Sequence, residues 1–168
     1  MSFLTTVDDQ GHASNLSQLA KDQHKVLITQ FIYTRCRTLC LSLGDTFQQA
    51  QTQITNRKLT QQLGLASISF DVDNENTKSL QAYRQRMHAD PQVWSLLKIQ
   101  NAQVLDTVKR KLGLMVIEDQ QKDFVHNSAF LVISPQGHLV GIFDPADIDN
   151  AIELALKKWQ VKPSNTVS

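Results

Sequence analysis

Cysteine is scarce in this chain: there are two among 168 residues, Cys36 and Cys40. Two thiols cannot by themselves assign a redox compartment. Charge of one sign is missing as well. Lys and Arg number 17 against 16 Asp and Glu, so no net field draws in nucleic acid or an anionic membrane. The longest apolar run, Val26 to Tyr33, is broken by Thr29 and Gln30 and falls far short of the roughly 20 residues of a membrane span. No signal-peptide pattern follows Met1, which on its own suggests a cytoplasmic chain. A soluble piece separated from an export signal or anchor would read the same way, so localisation stays open at this point. Repeats, linkers and a second core are also missing.

What is present is a globular composition, 41% apolar and 20% charged, unlike that of a disordered chain. A chain of this length forms one domain of ordinary size that buries about 70% of its unfolded surface. The expectation is one domain over 1–162, with 163–168 as a flexible tail.

Phe3 to Val7, Asp8-Asp9-Gln10-Gly11 and the residues from His12 read as a short hairpin. Leu16 and Leu19 start a single helical turn. Lys25 to Tyr33 reads as a buried strand, followed by a helix with Leu43, Phe47, Ala50 and Ile54 inside and a glutamine-rich, solvated outer face. Leu65 to Phe70 is a second buried strand. Asn76 or Thr77 caps a helix striped by Leu80, Tyr83 and Met87, which ends at Ala89-Asp90-Pro91. Asn101 caps another, carrying Val104, Leu105, Val108 and Leu112 and closing at Gly113 behind the basic triplet Lys109-Arg110-Lys111. Met115 to Asn127 is polar and reads as loop. Ala129 to Ile133 and Leu139 to Phe143 form a hairpin, and Asp144-Pro145 opens a last helix with Ile148, Ile152, Ala155, Leu156 and Trp159 facing the core. A βαβ half followed by ββα, with a cysteine pair at the end of the first central strand, is a thioredoxin-like layout. The predicted fold is α/β: a central mixed sheet flanked by helices, with an N-terminal β-hairpin extension.

Cys36 and Cys40 stand four apart at a strand-to-helix junction. That offset places both on one face with Cα atoms about 6 Å apart, which suits either a disulfide or two thiolates gripping one soft metal ion. Five histidines are candidates for a third group. His12 and His138 sit beside turn glycines, His24 precedes a strand among charges, and His88 ends a helix. His126 lies just ahead of the Ala129 strand, which a thioredoxin-like fold brings beside the cysteine turn. A Cys/Cys/His set there suits Cu(I), Cu(II) or Zn; the alternative is an ordinary loop histidine.

Phe31-Ile32-Tyr33-Thr34-Arg35-Cys36 with Cys40 resembles the signature of the Sco/SenC family, copper-binding thioredoxin-like proteins of cytochrome c oxidase assembly. The likeness covers nearly the whole chain. Asp71-Val72-Asp73-Asn74-Glu75-Asn76-Thr77 with Leu80 and Tyr83 is similar to that family's acidic stretch, and Ala89-Asp90-Pro91 with Trp94 to a second motif. His126-Asn127-Ser128 with the hairpin to Gly137 is similar to its ligand loop. The resemblance implies Cys36, Cys40 and His126 as ligands of one copper per chain, as Cu(I) or Cu(II), with a supporting role for Asp71. Arg37 and Leu41 stand where the family usually has prolines, Val72 replaces another, and Asn127 stands where Ser or Thr often follows the histidine. Arg37, beside Arg35, is expected to favour the thiolate of Cys36, the alternative being a solvated loop charge.

The reading is a metallochaperone, a carrier rather than an enzyme, that delivers copper to a respiratory oxidase or matures its copper site. Its implied partners are an oxidase copper-site subunit or another copper chaperone, with no nucleic acid. The chain is expected to be monomeric, facing the periplasm and tethered to the membrane through an anchor outside it. The alternative is a thiol–disulfide oxidoreductase using Cys36 and Cys40. Against that stand the C-x-x-x-C spacing and the lack of a proline in Asn127-Ser128-Ala129. A thiol peroxidase built on Thr34 and Arg35 and a structural zinc site are weaker readings.

Overall fold

The computed structural model describes residues 1–36, 39–119 and 123–160, with only the backbone path given at 39–41. The expected tail, 163–168, lies outside these residues, as does Arg37. In chain order the elements are β1 (Thr5–Asp8), β2 (Ala13–Asn15), α1 (Leu16–Gln23), β3 (Val26–Ile32), α2 (Leu39–Asn56), β4 (Leu63–Ser69) and α3 (Thr77–Met87). They continue with β5 (Trp94–Ile99), α4 (Ala102–Leu112), β6 (Val116–Glu118), β7 (Phe124–His126), β8 (Phe130–Ile133), β9 (Leu139–Phe143), a 3-10 turn (Pro145–Asp147) and α5 (Ile148–Gln160).

Seven strands form one sheet in the order β2-β1-β5-β4-β3-β8-β9, and β6 pairs with β7 in a separate ribbon. The central strands β3, β4 and β5 run parallel, with Val26 opposite Leu63 and Leu65 opposite Trp94. On either side β8 and β1 run antiparallel. Every residue of β3 and β4 is buried, as expected of parallel strands covered by helices on both faces. The architecture is the thioredoxin-like α/β layout, with β1–β2 as the N-terminal extension.

Local chemistry explains most helix ends. Asn76 opens α3 with a reciprocal capping box to Ser79, and Asn101 accepts from the Val104 amide at the start of α4. Gly113 closes α4 in the left-handed region at φ 67. The stripe Leu43, Phe47, Ala50 and Ile54 seats α2 on the sheet, where Phe47 meets Trp94 and Phe130. Gly44 lets α2 approach α3 closely: a Cβ there would stand 2.6 Å from the Met87 sulfur.

Four sequence expectations need correction. Trp94–Ile99 is a strand, β5, where only a helix end had been read, and it carries the whole N-terminal hairpin on its edge. The stretch from Met115 to Asn127 is not all loop, because β6 and β7 pair within it. Trp159 is 39% exposed, its indole N–H reaching the His24 carbonyl instead of the core. The glutamines of α2 are not merely solvated: Gln48 and Gln51 donate to the carbonyls of Met87 and His88, tying α2 to the end of α3.

Candidate metal centre

Strand β3 delivers Tyr33, Thr34, Arg35 and Cys36 to the end of the sheet, and the side chains of Tyr33, Thr34 and Arg35 are each held by a different neighbour. The Cys36 amide donates to the Tyr33 carbonyl at 3.2 Å, turning the chain, and Cys36 itself is only 5% exposed. The backbone of Cys40 lies in the first turn of α2. Its side chain is outside the described residues, so the sulfur–sulfur relation expected from the spacing is as well.

Tyr33 faces the ribbon. Its hydroxyl donates to the Phe124 carbonyl at 3.2 Å and accepts from the Phe124 amide at 3.3 Å. Its ring meets Phe70, Phe124 and His126 at centroid distances of 5.5, 5.1 and 6.1 Å. His126 is therefore no ordinary loop histidine: it ends β7, is 6% exposed and packs against Phe70 at 5.0 Å. Its Nδ1 lies 2.9 Å from the Asn127 carbonyl. That bond requires the proton on Nδ1, which leaves the lone pair on Nε2, the form an imidazole takes as a metal ligand. Burial lowers the His126 pKa below its usual value, partly opposed by the bond to Asn127, so the ring is neutral at pH 7.

Asn127 has its own structural reason. Its side chain accepts from the Met115 amide and donates to the Gly113 carbonyl, closing the ribbon onto the end of α4.

Thr34 faces the other way. Its amide and hydroxyl both donate to the Glu75 carboxylate, and its carbonyl accepts from Arg86 Nη2 at 2.9 Å. Arg35 reaches Asp71, with Nε and Nη2 at 3.0 and 2.8 Å from the same carboxylate oxygen. That hydrogen bond raises the Arg35 pKa, and the pairing balances the guanidinium's charge beside Cys36. Asp71 is buried and also accepts from Asn74, so its supporting place near the site is an ion pair.

Sequence reasoning passed over Glu75, Ser69, Ser79 and Arg86. The only local signal was the acid one residue ahead of the Asn76 cap. Thr34, Arg35, Cys36, Ser79, Ala82, Arg86 and Asp123 line an open cleft of about 640 Å³; His126 is not in its wall. Among the described residues no three His, Cys, Asp or Glu side chains gather as a metal cluster. The proposed trio needs the Cys40 thiol, which falls outside them. As donor chemistry, two thiolates and a neutral imidazole fit copper in either oxidation state.

Fold and site together define a thioredoxin-like protein whose cysteine turn is joined through one tyrosine to a histidine-bearing ribbon. The SCO1/SenC family model matches residues 5–160. The chain belongs to the SCO1/SenC family. No curated protein sequence matches it. Among solved structures it is similar to BsSco, a member of the Sco family of cytochrome c oxidase assembly proteins, at 18% identity. That match covers 94% of this chain and 92% of the other, with a TM-score of 0.78. Arabidopsis thaliana ScoI with copper bound matches at 17% identity, 92% and 94% coverage and a TM-score of 0.76. A SCO1/SenC family lipoprotein from Bacillus anthracis str. Ames matches at 19% identity, 90% and 92% coverage and a TM-score of 0.75. At these identities the likeness establishes the fold. No helix among the described residues is long and apolar enough to cross a membrane.

Proposed function

We propose that this chain is a copper metallochaperone that binds one copper through the thiolates of Cys36 and Cys40 and the Nε2 of His126. It passes the metal to the copper site of a respiratory oxidase subunit or exchanges it with another copper chaperone. The observation that carries the reading is the family match over residues 5–160. It is supported by the buried, neutral His126 held against Tyr33, three residues ahead of Cys36. Copper bound in the Arabidopsis relative supports the choice of metal. The protein acts as a monomeric single domain, without nucleic acid. It faces the periplasm through a membrane anchor outside this chain, in keeping with the lipoprotein relative.

Two thiolates satisfy low-coordinate Cu(I), and the imidazole completes a set that also holds Cu(II). When a partner disulfide takes two electrons and two protons from the Cys36 and Cys40 thiols, it becomes two thiols, the pair becomes a disulfide, and both sulfur ligands are removed. Copper loading is therefore coupled to thiol redox state. The test is anaerobic titration of the reduced protein with Cu(I) against a competing chelator. One equivalent should bind tightly, and Cys36→Ser or Cys40→Ser should each abolish tight binding. Unchanged affinity in either variant would sink the assignment.

One observation favours a second reading, thiol–disulfide exchange: Cys36 lines a cleft that His126 does not enter. There one thiolate would attack a client disulfide to give a mixed disulfide, and the second cysteine would displace the client thiol. The client is reduced as Cys36 and Cys40 are oxidised. Retained reduction of a client disulfide by a protein that binds no Cu(I) would favour this reading.

A further inference from the structure

Glu75 is the most heavily bonded carboxylate near the cysteine turn, and nothing in the metal-binding proposal uses it. It is buried. Oε2 accepts from the Thr34 amide at 3.2 Å and from the Ser69 hydroxyl at 2.6 Å. Oε1 accepts from the Thr34 hydroxyl at 2.7 Å and from the Ser79 hydroxyl. Its own backbone is fixed too, its amide donating to the Asp71 carbonyl and its carbonyl accepting from Lys98. One side chain thus joins the end of β4, the first turn of α3 and the residue two before Cys36. Arg86, from the last turn of α3, holds the Thr34 carbonyl, so amide, hydroxyl and carbonyl of Thr34 are all tied to residues at the two ends of α3.

A buried carboxylate with four hydrogen-bond donors is satisfied in place, and its removal leaves those donors unmet. Two of the four donors, an amide and a hydroxyl, belong to Thr34, so their loss frees the turn that carries Cys36 more than it disturbs the distant core. We infer that Glu75 is a positioning residue that holds the Cys36 thiol in register through Thr34. This rests on the reading that Cys36 is the reactive or metal-binding thiol, and adds the group that fixes its place.

The test separates the two claims by following Cys36 itself. In a Cys40→Ser background, the alkylation rate of Cys36 by iodoacetamide is compared for Glu75, Glu75→Ala and Glu75→Gln. Asp9→Asn serves as a destabilised control, because it weakens the Asp9–Arg84 ion pair at 2.6 Å without touching the turn. Glu75→Ala should raise the rate by about tenfold, through more frequent local opening. Glu75→Gln removes the same charge but can keep the contacts, because hydroxyls of Thr34, Ser69 and Ser79 rotate to accept or donate; its rate should stay within about threefold. Should Glu75→Ala not fold, Glu75→Asp, one methylene short, should show the same rise.

An unchanged rate in folded Glu75→Ala or Glu75→Asp overturns the inference. An equal rise in Glu75→Gln overturns it in favour of a purely electrostatic effect. An equal rise in Asp9→Asn at matched melting temperature reduces Glu75 to general stability. In the parent with both cysteines, chelator competition reads Cu(I) affinity separately. A parent that binds no Cu(I) overturns the copper reading, while the alkylation result still decides the role of Glu75.

Discussion

Tyr33→Phe deletes one oxygen and leaves every ring contact in place. The Tyr33 hydroxyl is the acceptor for the Phe124 amide and a donor to the Phe124 carbonyl. Two neutral hydrogen bonds at about 0.5–1.5 kcal/mol each put the loss at about 1–3 kcal/mol, less where water reaches the half-buried strand. The ring's edge contacts to Phe124 and His126 persist, so the aromatic cluster stays packed. The effect should therefore be local. Amide exchange at Phe124 should speed up by between about fivefold and a hundredfold, as the ribbon opens without global unfolding. The melting temperature should fall by about 2–4 °C per kcal/mol for a chain of this size. Copper affinity should barely change while the ribbon stays mostly closed, since affinity falls only with the competent fraction. Exchange at Phe124 equal to that of the parent protein, measured by NMR on the reduced apo form, would refute Tyr33 as the anchor of the histidine ribbon.

His126→Ala should keep the fold at a cost of about 1.5–4.5 kcal/mol, from its contacts with Tyr33 and Phe70 and its bond to Asn127. It should still bind Cu(I) through two thiolates but bind Cu(II) far more weakly. Paired titrations check this, and an unaltered Cu(II) affinity and visible spectrum would remove His126 from the ligand set. Burial lowers the folded His126 pKa below the usual 6.5, so between the two values the unfolded chain binds more protons. Stability from this group is complete above about pH 6.5 and is lost as pH falls through the folded value. Urea unfolding of the apo protein from pH 8 to pH 5 should show a decline that His126→Gln reduces.

The legible parts of this chain were those whose signal is local. Buried β-branched runs marked β3, a 3.6-residue stripe marked α2, and Asn76, Asn101 and Gly113 marked helix ends through bonds within a few residues. Strand β5 escaped because Trp94-Ser95-Leu96-Leu97-Lys98-Ile99 has no clean alternation and follows a helix-stop signal. The ribbon escaped because three-residue strands carry too few side chains to show a period. Its position depends on Tyr33, 91 residues away from Phe124. Glu75 shows in the sequence only as part of an acidic stretch, since its bonds to Thr34 span 41 residues. His126 stood out by its place just ahead of the Ala129 strand, with an ordinary loop histidine as the alternative, and the family likeness then named it as a ligand.

Tyr33 and Thr34, successive residues leaving one strand, point to opposite sides, as the alternation of an extended chain requires. Tyr33 addresses the ribbon that carries His126, and Thr34 addresses Glu75 and Arg86 at the ends of α3. The cysteine turn is thus held by two sets of contacts on different elements. Loss of the tyrosine hydroxyl should loosen the imidazole side and leave the thiol side in place; loss of the Glu75 carboxylate should do the reverse. On the copper reading proposed above, a carrier built this way would open its histidine ribbon while the thiolates still held the metal. That order would suit Cu(I), which two sulfurs satisfy, and would make the imidazole of the proposed ligand set the one released first.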